Sequence, residues 1–370
     1  MSTLNPSAGP LGARPTGGTG PLLGGDTLTS GRLPKATTWV ALVASAIVGF
    51  AISVLATGAA NAGLTVLFGY VLFLLIMEVA SRVVEGPRQA SDRRAGNLII
   101  GAFLLALLPL GSVTWEAVSN GMARFDPSFF TNSMRNVVGV GGGGVHAIYG
   151  TLYVTGMASL ISVPIGLLTA IYLAEYGAGN RLAKLITFFV DVMTGVPSIV
   201  AGLFAYSLMA LLVGPGAVFG FSGSVALSVL MIPVVVRSCE ELLRLVPNEL
   251  REAAYALGVP KWVTIVRIVI PTAISGLVSG VILAIARVIG ETAPLMIAAG
   301  FTASLNNNLF ANPMMTLPVF VYDAYAHPGV EPAPYLERAW TGALTLILIV
   351  MLLNLIGRLI AARFAPKTGR

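Results

Sequence analysis

Cysteine, histidine and charged residues are all scarce in this chain of 370 residues. The single cysteine, Cys239, excludes an internal disulfide and a cysteine-rich metal site, and two histidines are too few for a histidine-based metal cluster. Charged residues make up 10% of the sequence, against about 25% in soluble domains. No GxxxxGK(S/T) phosphate-binding loop occurs, so we expect no ATP hydrolysis by that route and no cofactor on this chain. The net charge of +6 is modest and does not indicate nucleic-acid binding.

Apolar sequence is abundant, with 56% hydrophobic residues and a mean hydropathy of +0.85. A spanning helix needs about 20 mostly apolar residues, and eight stretches qualify. They are residues 39–59, 62–82, 96–116, 147–174, 184–213, 222–243, 270–298 and 339–362. We therefore predict an all-α, multi-pass integral protein of the cell membrane, in contact with membrane lipid.

The loops and prolines between and within these spans refine the prediction. Only a few residues join the first two spans, which indicates a helical hairpin. Gly195 and Pro197 lie inside the fifth span and predict a kink or break there. The sixth and seventh spans contain Pro233 and Pro294.

The basic residues predict an orientation with both termini in the cytoplasm. That arrangement puts 17 of the 22 lysines and arginines on the inner side, three on the outer side and two within spans. Four regions follow: a disordered cytoplasmic tail (1–37), a membrane hairpin with its cytoplasmic linker (38–95), the main membrane domain (96–362) and a short cytoplasmic tail (363–370).

Two predicted outer segments, 117–146 and 299–338, are long enough to have structure of their own. Each is either a passive connector or a docking surface for an extracytoplasmic solute-binding protein, and their length favours docking. The run Gly141 to Gly144 lacks a phosphate-binding lysine and is predicted to be a flexible connection.

The stretch Glu252 to Pro271 is the longest polar break in the second half of the chain. Asn248 is a good helix N-cap, Gly258 suits the left-handed position after a helix, and Pro260 prevents continuation. The pattern predicts a short helix of about 10 residues followed by a second helix. Local pattern alone is equally typical of a helix lying on the membrane surface.

The spacing of this stretch is more specific: EAA, three residues, Gly258, nine residues, then IVIP. It resembles the EAA loop of ATP-binding cassette (ABC) importer permeases, and only Ile270 departs from the pattern. The resemblance implies a type I-like six-helix permease core and a coupling segment, 248–262, that docks on a cytoplasmic ATPase. By position, the docking residues would be Glu252, Ala253, Ala254 and Gly258.

Among the charged residues inside predicted spans, three are singled out: Arg237, Arg287 and Glu291. Ions in lipid are costly, so such residues are candidates for function. Arg287 and Glu291 are four apart, which predicts one helix face. They could form an internal ion pair, and Arg237 could snorkel to the membrane surface. We favour a ligand pathway in which two guanidiniums without equal compensation bind an oxyanion. Asp191 is left as either a helix-end acid or a gate element.

A stripe of small residues on the seventh span, Gly276, Gly280 and Ala284, predicts close contact with another helix.

Three further stretches, ARVIGETAPL, MTGVPSIVAG and IPVVVR, together with the EAA-like loop, resemble the PstA family of phosphate ABC-importer permeases over roughly 96–362. The resemblance implies a permease without its own ATPase site, in an ATP-driven importer of inorganic phosphate. Its partners would be a PstC-like permease, two PstB-like ATPases that bind ATP, and a PstS-like phosphate-binding protein. By position, Arg237, Arg287 and Glu291 match charged residues that the family uses in transport.

Several alternatives stay open on the sequence. The anion could be molybdate or sulfate, and an ATP-independent anion transporter or channel is a further hypothesis. The second permease chain could be a different protein or a second copy. The hairpin at 39–82 is additional to the six-helix core and has no assigned role.

Overall fold

A computed structural model describes residues 31–59 and 61–364, and within them all regular structure is helical. The predicted tails, 1–37 and 363–370, lie almost entirely outside the described residues. The helices are α1 (Lys35–Thr57), α2 (Ala62–Val84), α3 (Pro87–Gly121), α4 (Pro127–Thr131), α5 (Val145–Ile171), α6 (Arg181–Thr194), α7 (Ser198–Val213), α8 (Gly220–Arg244), α9 (Asn248–Ala256), α10 (Lys261–Thr264), α11 (Ile270–Val288), α12 (Ala293–Ala298), α13 (Leu317–Ala326) and α14 (Pro332–Phe364). There are also two π-helical turns. Tyr172–Tyr176 continues α5, and Ile265–Val269 precedes α11.

The chain forms two compact units, Met1–Gly111 and Ser112–Arg370. The division therefore falls inside α3, whereas the domain boundary expected at 95/96 falls nearer the start of the same helix. The first unit contains the predicted hairpin, now α1 and α2. Gly58 ends α1 in the left-handed conformation with φ 71°, and the Asn61 side chain accepts a hydrogen bond from the Leu64 N–H at 3.2 Å to begin α2.

In the second unit, α5 and α8 pack in parallel along much of their length. The Ser224 hydroxyl donates to the Val154 carbonyl at 3.0 Å, and Ser228 donates to the Ala158 carbonyl at 3.4 Å. The constant offset fixes the register, and both hydroxyls also bond within their own helix. Serine is small enough for close approach and satisfies its polar group across the contact, as helix pairs in membranes require.

The parallel pair defines two ends of the second unit. α5 and α8 both begin at one end, here called the distal end, and both finish at the end that carries α9, here called the coupling end. At the coupling end, the π turn after α5 contacts the α9 region through an ion pair between Glu175 and Arg251.

Seven described helical segments are long and apolar enough to cross a membrane, and α6 with α7 makes an eighth if this bent pair is one span. The pair bends by 109°. We count it as one broken span, because α6 begins just after α5 reaches the coupling end, and only six residues separate the end of α7 from the start of α8 at the distal end. The prediction of a break in this span is confirmed.

The seventh predicted span, 270–298, is not one helix. In the structure the helical segment begins earlier, with α10, and α11 ends at Val288. A separate short helix, α12, begins at Ala293. The expectation that Arg287 and Glu291 share a helix face is therefore wrong, because Glu291 lies in the interruption. Pro294 stands near the start of α12, where proline is tolerated and the missing N–H costs little.

The stripe of small residues on α11 packs as predicted. A Cβ on Gly276 would lie 2.8 Å from the Leu242 side chain, and one on Gly280 would lie 3.1 Å from Ser238 Cβ. Ala284 is fully buried. α11 therefore approaches α8 closely, which places the end of α11 beside the core.

Candidate functional site

The turn between α6 and α7 is the first of two breaks that line one cavity. Gly195 follows the last residue of α6, and Pro197 precedes α7 with φ −59° and ψ 138°. Proline restricts the preceding residue to extended conformations and removes a donor, so the helix cannot pass through this point. Gly202 on α7 then packs on α12, where a Cβ would lie 2.7 Å from Pro294 Cα.

The end of α11 is the second break. Arg287 lies in the last turn of α11, where a cation suits the helix dipole. The chain then turns, and the Glu291 N–H donates to the Val288 carbonyl at 3.1 Å. Within a membrane, backbone freed by a helix break is tolerated only where protein or a water-filled cavity can satisfy it.

A cavity of about 120 Å³ lies where the two breaks meet, and we call it the Arg287 cavity. Its lining comes from the α6–α7 turn, from α8 and from the end of α11: Met193, Thr194, Val196, Ser198, Leu230, Val234, Arg287, Val288 and Glu291. The structure thus brings together two of the three charged residues predicted from the sequence. Among the described residues, no ion pair or hydrogen bond engages the side chain of Arg287 or that of Glu291.

Arg237, the third predicted residue, does not line this cavity. Its guanidinium forms an ion pair with Asp191 of α6 and another, at 3.1 Å, with Glu240 one turn further along α8. Glu240 is 5% exposed and also pairs with Arg244 at 2.6 Å. The expectation of an uncompensated guanidinium is wrong for Arg237, because α6 packs on α8 and supplies an acid that lies 46 residues away in sequence.

The predicted coupling helix is present as α9. It begins at Asn248 with Pro247 in the cap position, so Asn248 is not the N-cap, and no side chain caps this end. Gly258 has φ +77° as predicted, and the Val259 N–H bonds the Ala254 carbonyl at 3.1 Å to close the end. Pro260 then precedes α10, the second predicted helix.

The four predicted docking residues divide into two groups. Glu252, Ala253 and Gly258 are exposed, whereas Ala254 is 4% exposed and packs within the chain. Next to the exposed group, Leu257 leaves 83% of its surface uncovered.

An ion pair not foreseen from the sequence anchors α9 to the membrane helices. Arg251 and Glu175 pair at 2.7 Å, with side chains 13% and 4% exposed. Arg251 also donates to the Val246 carbonyl at 2.6 Å and the Leu243 carbonyl at 3.0 Å, at the end of α8. Lys261 donates to the Glu175 carbonyl at 2.5 Å. The one sequence signal was Glu175 itself, an acid at the end of an apolar span.

The broken spans, the charged cavity and the exposed helix are the features of a polytopic membrane permease. The sequence matches the model for "Binding-protein-dependent transport system inner membrane component" over residues 162–370. The chain belongs to that family and, within it, to the PstA permeases, and it is a multi-pass protein of the inner membrane.

Two relatives and one solved structure illustrate the similarity. "Phosphate transport system permease protein PstA 1" of Mycobacterium tuberculosis is 47% identical over 298 residues, covering 80% of this chain and 96% of the relative. "Phosphate transport system permease protein PstA" of Yersinia pestis is 37% identical over 286 residues, covering 76% and 94%. An inward-facing structure of the MetNI methionine ABC transporter aligns with a TM-score of 0.49 at 20% identity, over 60% of this chain and 95% of that chain.

Proposed function

We propose that this chain is one permease half of an ATP-driven importer of inorganic phosphate. The names of its relatives, which describe phosphate transport permeases, support the choice of substrate. The chain would form half of the translocation pathway and carry out no chemistry of its own. ATP would be bound and hydrolysed by cytoplasmic partner subunits.

The observation that carries the proposal is Arg287 in its cavity. A guanidinium presents paired N–H donors that match the oxygens of a tetrahedral oxyanion. Because no acid engages Arg287 among the described residues, its charge is available to a solute. Arg287 is exposed in the isolated chain, so a second permease subunit would complete the pathway on its open side.

Glu291 sets the strength of binding at the same place. Its carboxylate lines the Arg287 cavity and repels an anion bound there. A transported anion must leave as readily as it arrives, so the opposing charge keeps the site weak.

The anchor at Arg251 supplies the mechanical link. Movement of α9 would be transmitted to the ends of α5 and α8 through Glu175 and the carbonyls that Arg251 holds. A second route runs along the chain through α10 to α11, which carries Arg287. ATP-driven closure of the ATPases would thus reorient the helices around the cavity.

The partners would be those of the whole importer. With both termini inside, as the basic residues indicate, α9 faces the cytoplasm and would dock on one of two PstB-like ATPases. A PstC-like permease would supply the other half, and a PstS-like binding protein would deliver phosphate to the distal end. The coupling residues in contact with the ATPase would be Glu252, Ala253 and Gly258.

Purification of the tagged chain in mild detergent, with identification of every bound subunit, tests this assembly. We expect an ATPase and a second permease to copurify, and ATP-dependent uptake of labelled phosphate after reconstitution. Excess molybdate or sulfate should compete poorly. Uptake that survives ATP depletion, with no ATPase bound, would instead indicate an independent anion transporter.

A further inference from the structure

Arg338, near the start of α14 at the distal end, is the largest fully buried side chain of the described residues, at 1% exposure. Its Nη1 donates to the carbonyls of Gly139 at 2.7 Å and Gly141 at 2.9 Å. The Tyr335 ring lies 4.5 Å from its Cζ atom. The glycine run, expected to be a flexible connection, is therefore held by this arginine.

The other edge of the guanidinium has no partner. Nε and Nη2 make no hydrogen bond, and Arg338 has no ion pair within the described part of the chain. These two atoms point their N–H groups to the same side, which is the fork that binds two oxygens of one oxyanion. Buried donors left unpaired are costly, so this fork calls for an acceptor from outside the chain, either water or a ligand.

A cavity of about 360 Å³ adjoins this arginine, and we call it the Arg338 cavity. A water molecule occupies about 30 Å³ in the liquid, so the cavity can hold a tetrahedral anion with several waters. His146, the second residue of α5, also lines it; the ring is 2% exposed, and neither ring nitrogen has a partner. Two buried polar side chains with unused nitrogens thus border one space.

The acids near this cavity form no ion pair with Arg338 among the described residues. Asp323 lines the cavity but pairs with His327 at 3.3 Å, and both side chains are substantially exposed. Glu337 is exposed and makes no ion pair with Arg338 among the described residues. The positive charge lies deep, whereas the negative charge lies near the surface, so an anion is attracted to the deeper part.

We propose that the Arg338 cavity is a second oxyanion site, distinct from the Arg287 cavity, in which the anion accepts hydrogen bonds from Nε and Nη2 of Arg338 and contacts His146. Both donor atoms expose less than 1 Å², so the lining must open slightly and the ligand is a small free ion. On the proposed function this ion is inorganic phosphate, held at the distal end before it reaches the core.

Site-specific thiol protection in the purified complex, without the binding protein, tests the proposal. Ala303 lines the cavity and is exposed, and the native Cys239 is buried, so Ala303→Cys provides the reactive thiol on this chain. Labelling of the chain by a neutral maleimide is followed by mass, with increasing inorganic phosphate and, in parallel, sulfate. We expect phosphate to slow labelling in a saturable manner.

Three variants in the Ala303→Cys background locate the effect. Arg338→Lys keeps a charge that can hold the glycine carbonyls but loses the fork, and should raise the half-protecting phosphate concentration about tenfold or more. Arg135→Gln removes an exposed arginine from the same end and should leave protection unchanged. Arg287→Gln should also leave it unchanged, because that residue lines the other cavity.

The outcomes separate this site from the proposed transport function. Unchanged protection in Arg338→Lys, absence of protection by either anion, or loss of protection in Arg287→Gln would each overturn the second site. Protection by sulfate but not phosphate, lost in Arg338→Lys, would support an oxyanion site and contradict phosphate as its ligand.

Discussion

The surroundings of Arg237 and Arg287 differ more than their sequence contexts suggest. Both arginines lie in apolar helices of the same unit, 50 residues apart in number. Arg237 is flanked by Asp191 and Glu240, so its charge is compensated. Arg287 lines a cavity, and no acid pairs with it among the described residues. The comparison teaches that a cation in a span is a candidate for ligand binding only when nearby acids leave it unpaired.

The largest effect is expected for Arg287→Gln. Uptake of phosphate should fall about 100-fold or more, because a bidentate guanidinium contact supplies two charge-assisted hydrogen bonds worth about 1.5–3 kcal/mol each. ATP-dependent uptake in proteoliposomes measures the loss, and copurification checks that the complex still assembles. The matched control is Arg358→Gln, an exposed arginine on α14 of the same unit. Normal uptake by Arg287→Gln would contradict the assignment of Arg287, and not Arg237, to anion binding.

A third arginine, Arg251, sharpens the comparison, since its acid partner Glu175 is buried. Arg251→Gln should destabilise the complex by about 3–5 kcal/mol, because it leaves a buried carboxylate without its cation. Thermal unfolding of the complex checks the prediction. The double variant Glu175→Gln with Arg251→Gln should be more stable than Arg251→Gln alone, and should show ATP hydrolysis poorly coupled to uptake. Equal stability of the single and double variants would contradict a buried ion pair.

A smaller effect is expected at Arg237. The Arg237 and Asp191 side chains are 31% and 58% exposed, and such pairs contribute about 0.2–1 kcal/mol. Arg237→Gln should lower uptake less than about fivefold, since Glu240 keeps Arg244 as a partner. Asp191→Asn should have a similar effect, and the double variant should be no worse than either single one. A loss of uptake as large as that of Arg287→Gln would break the comparison.

Much of the fold could be predicted because its signals are local. Apolar length predicted the spans, Gly195 and Pro197 predicted the break between α6 and α7, and Gly258 predicted the end of α9. The interruption after Val288 was missed because ARVIGETAPL is apolar enough to be assigned to a continuous helix. Its proline could lie inside such a helix or in the first turn of a new one. A single stretch cannot show which of these two uses of proline applies.

The charged contacts could not be predicted to the same degree. The sequence identified Arg237, Arg287 and Glu291 by their position in apolar segments, and the structure brings two of them to one cavity. Which arginine is compensated depends on helix packing, because the acids come from distant parts of the chain. Asp191 lies 46 residues from Arg237, and Glu175 lies 76 residues from Arg251. The buried fork of Arg338 was likewise hidden, because its neighbours come from a glycine run almost 200 residues away.

The central claim is that the positive charge of Arg287 itself handles the transported anion. Arg287→Cys, treated with thiosulfonates of similar size that add a cationic, neutral or anionic group, tests it most directly, because the native Cys239 is buried. We expect the untreated variant to be inactive and the cationic adduct alone to restore a measurable part of ATP-dependent phosphate uptake. Equal recovery with the neutral adduct, or no recovery after complete cationic labelling, would contradict the account.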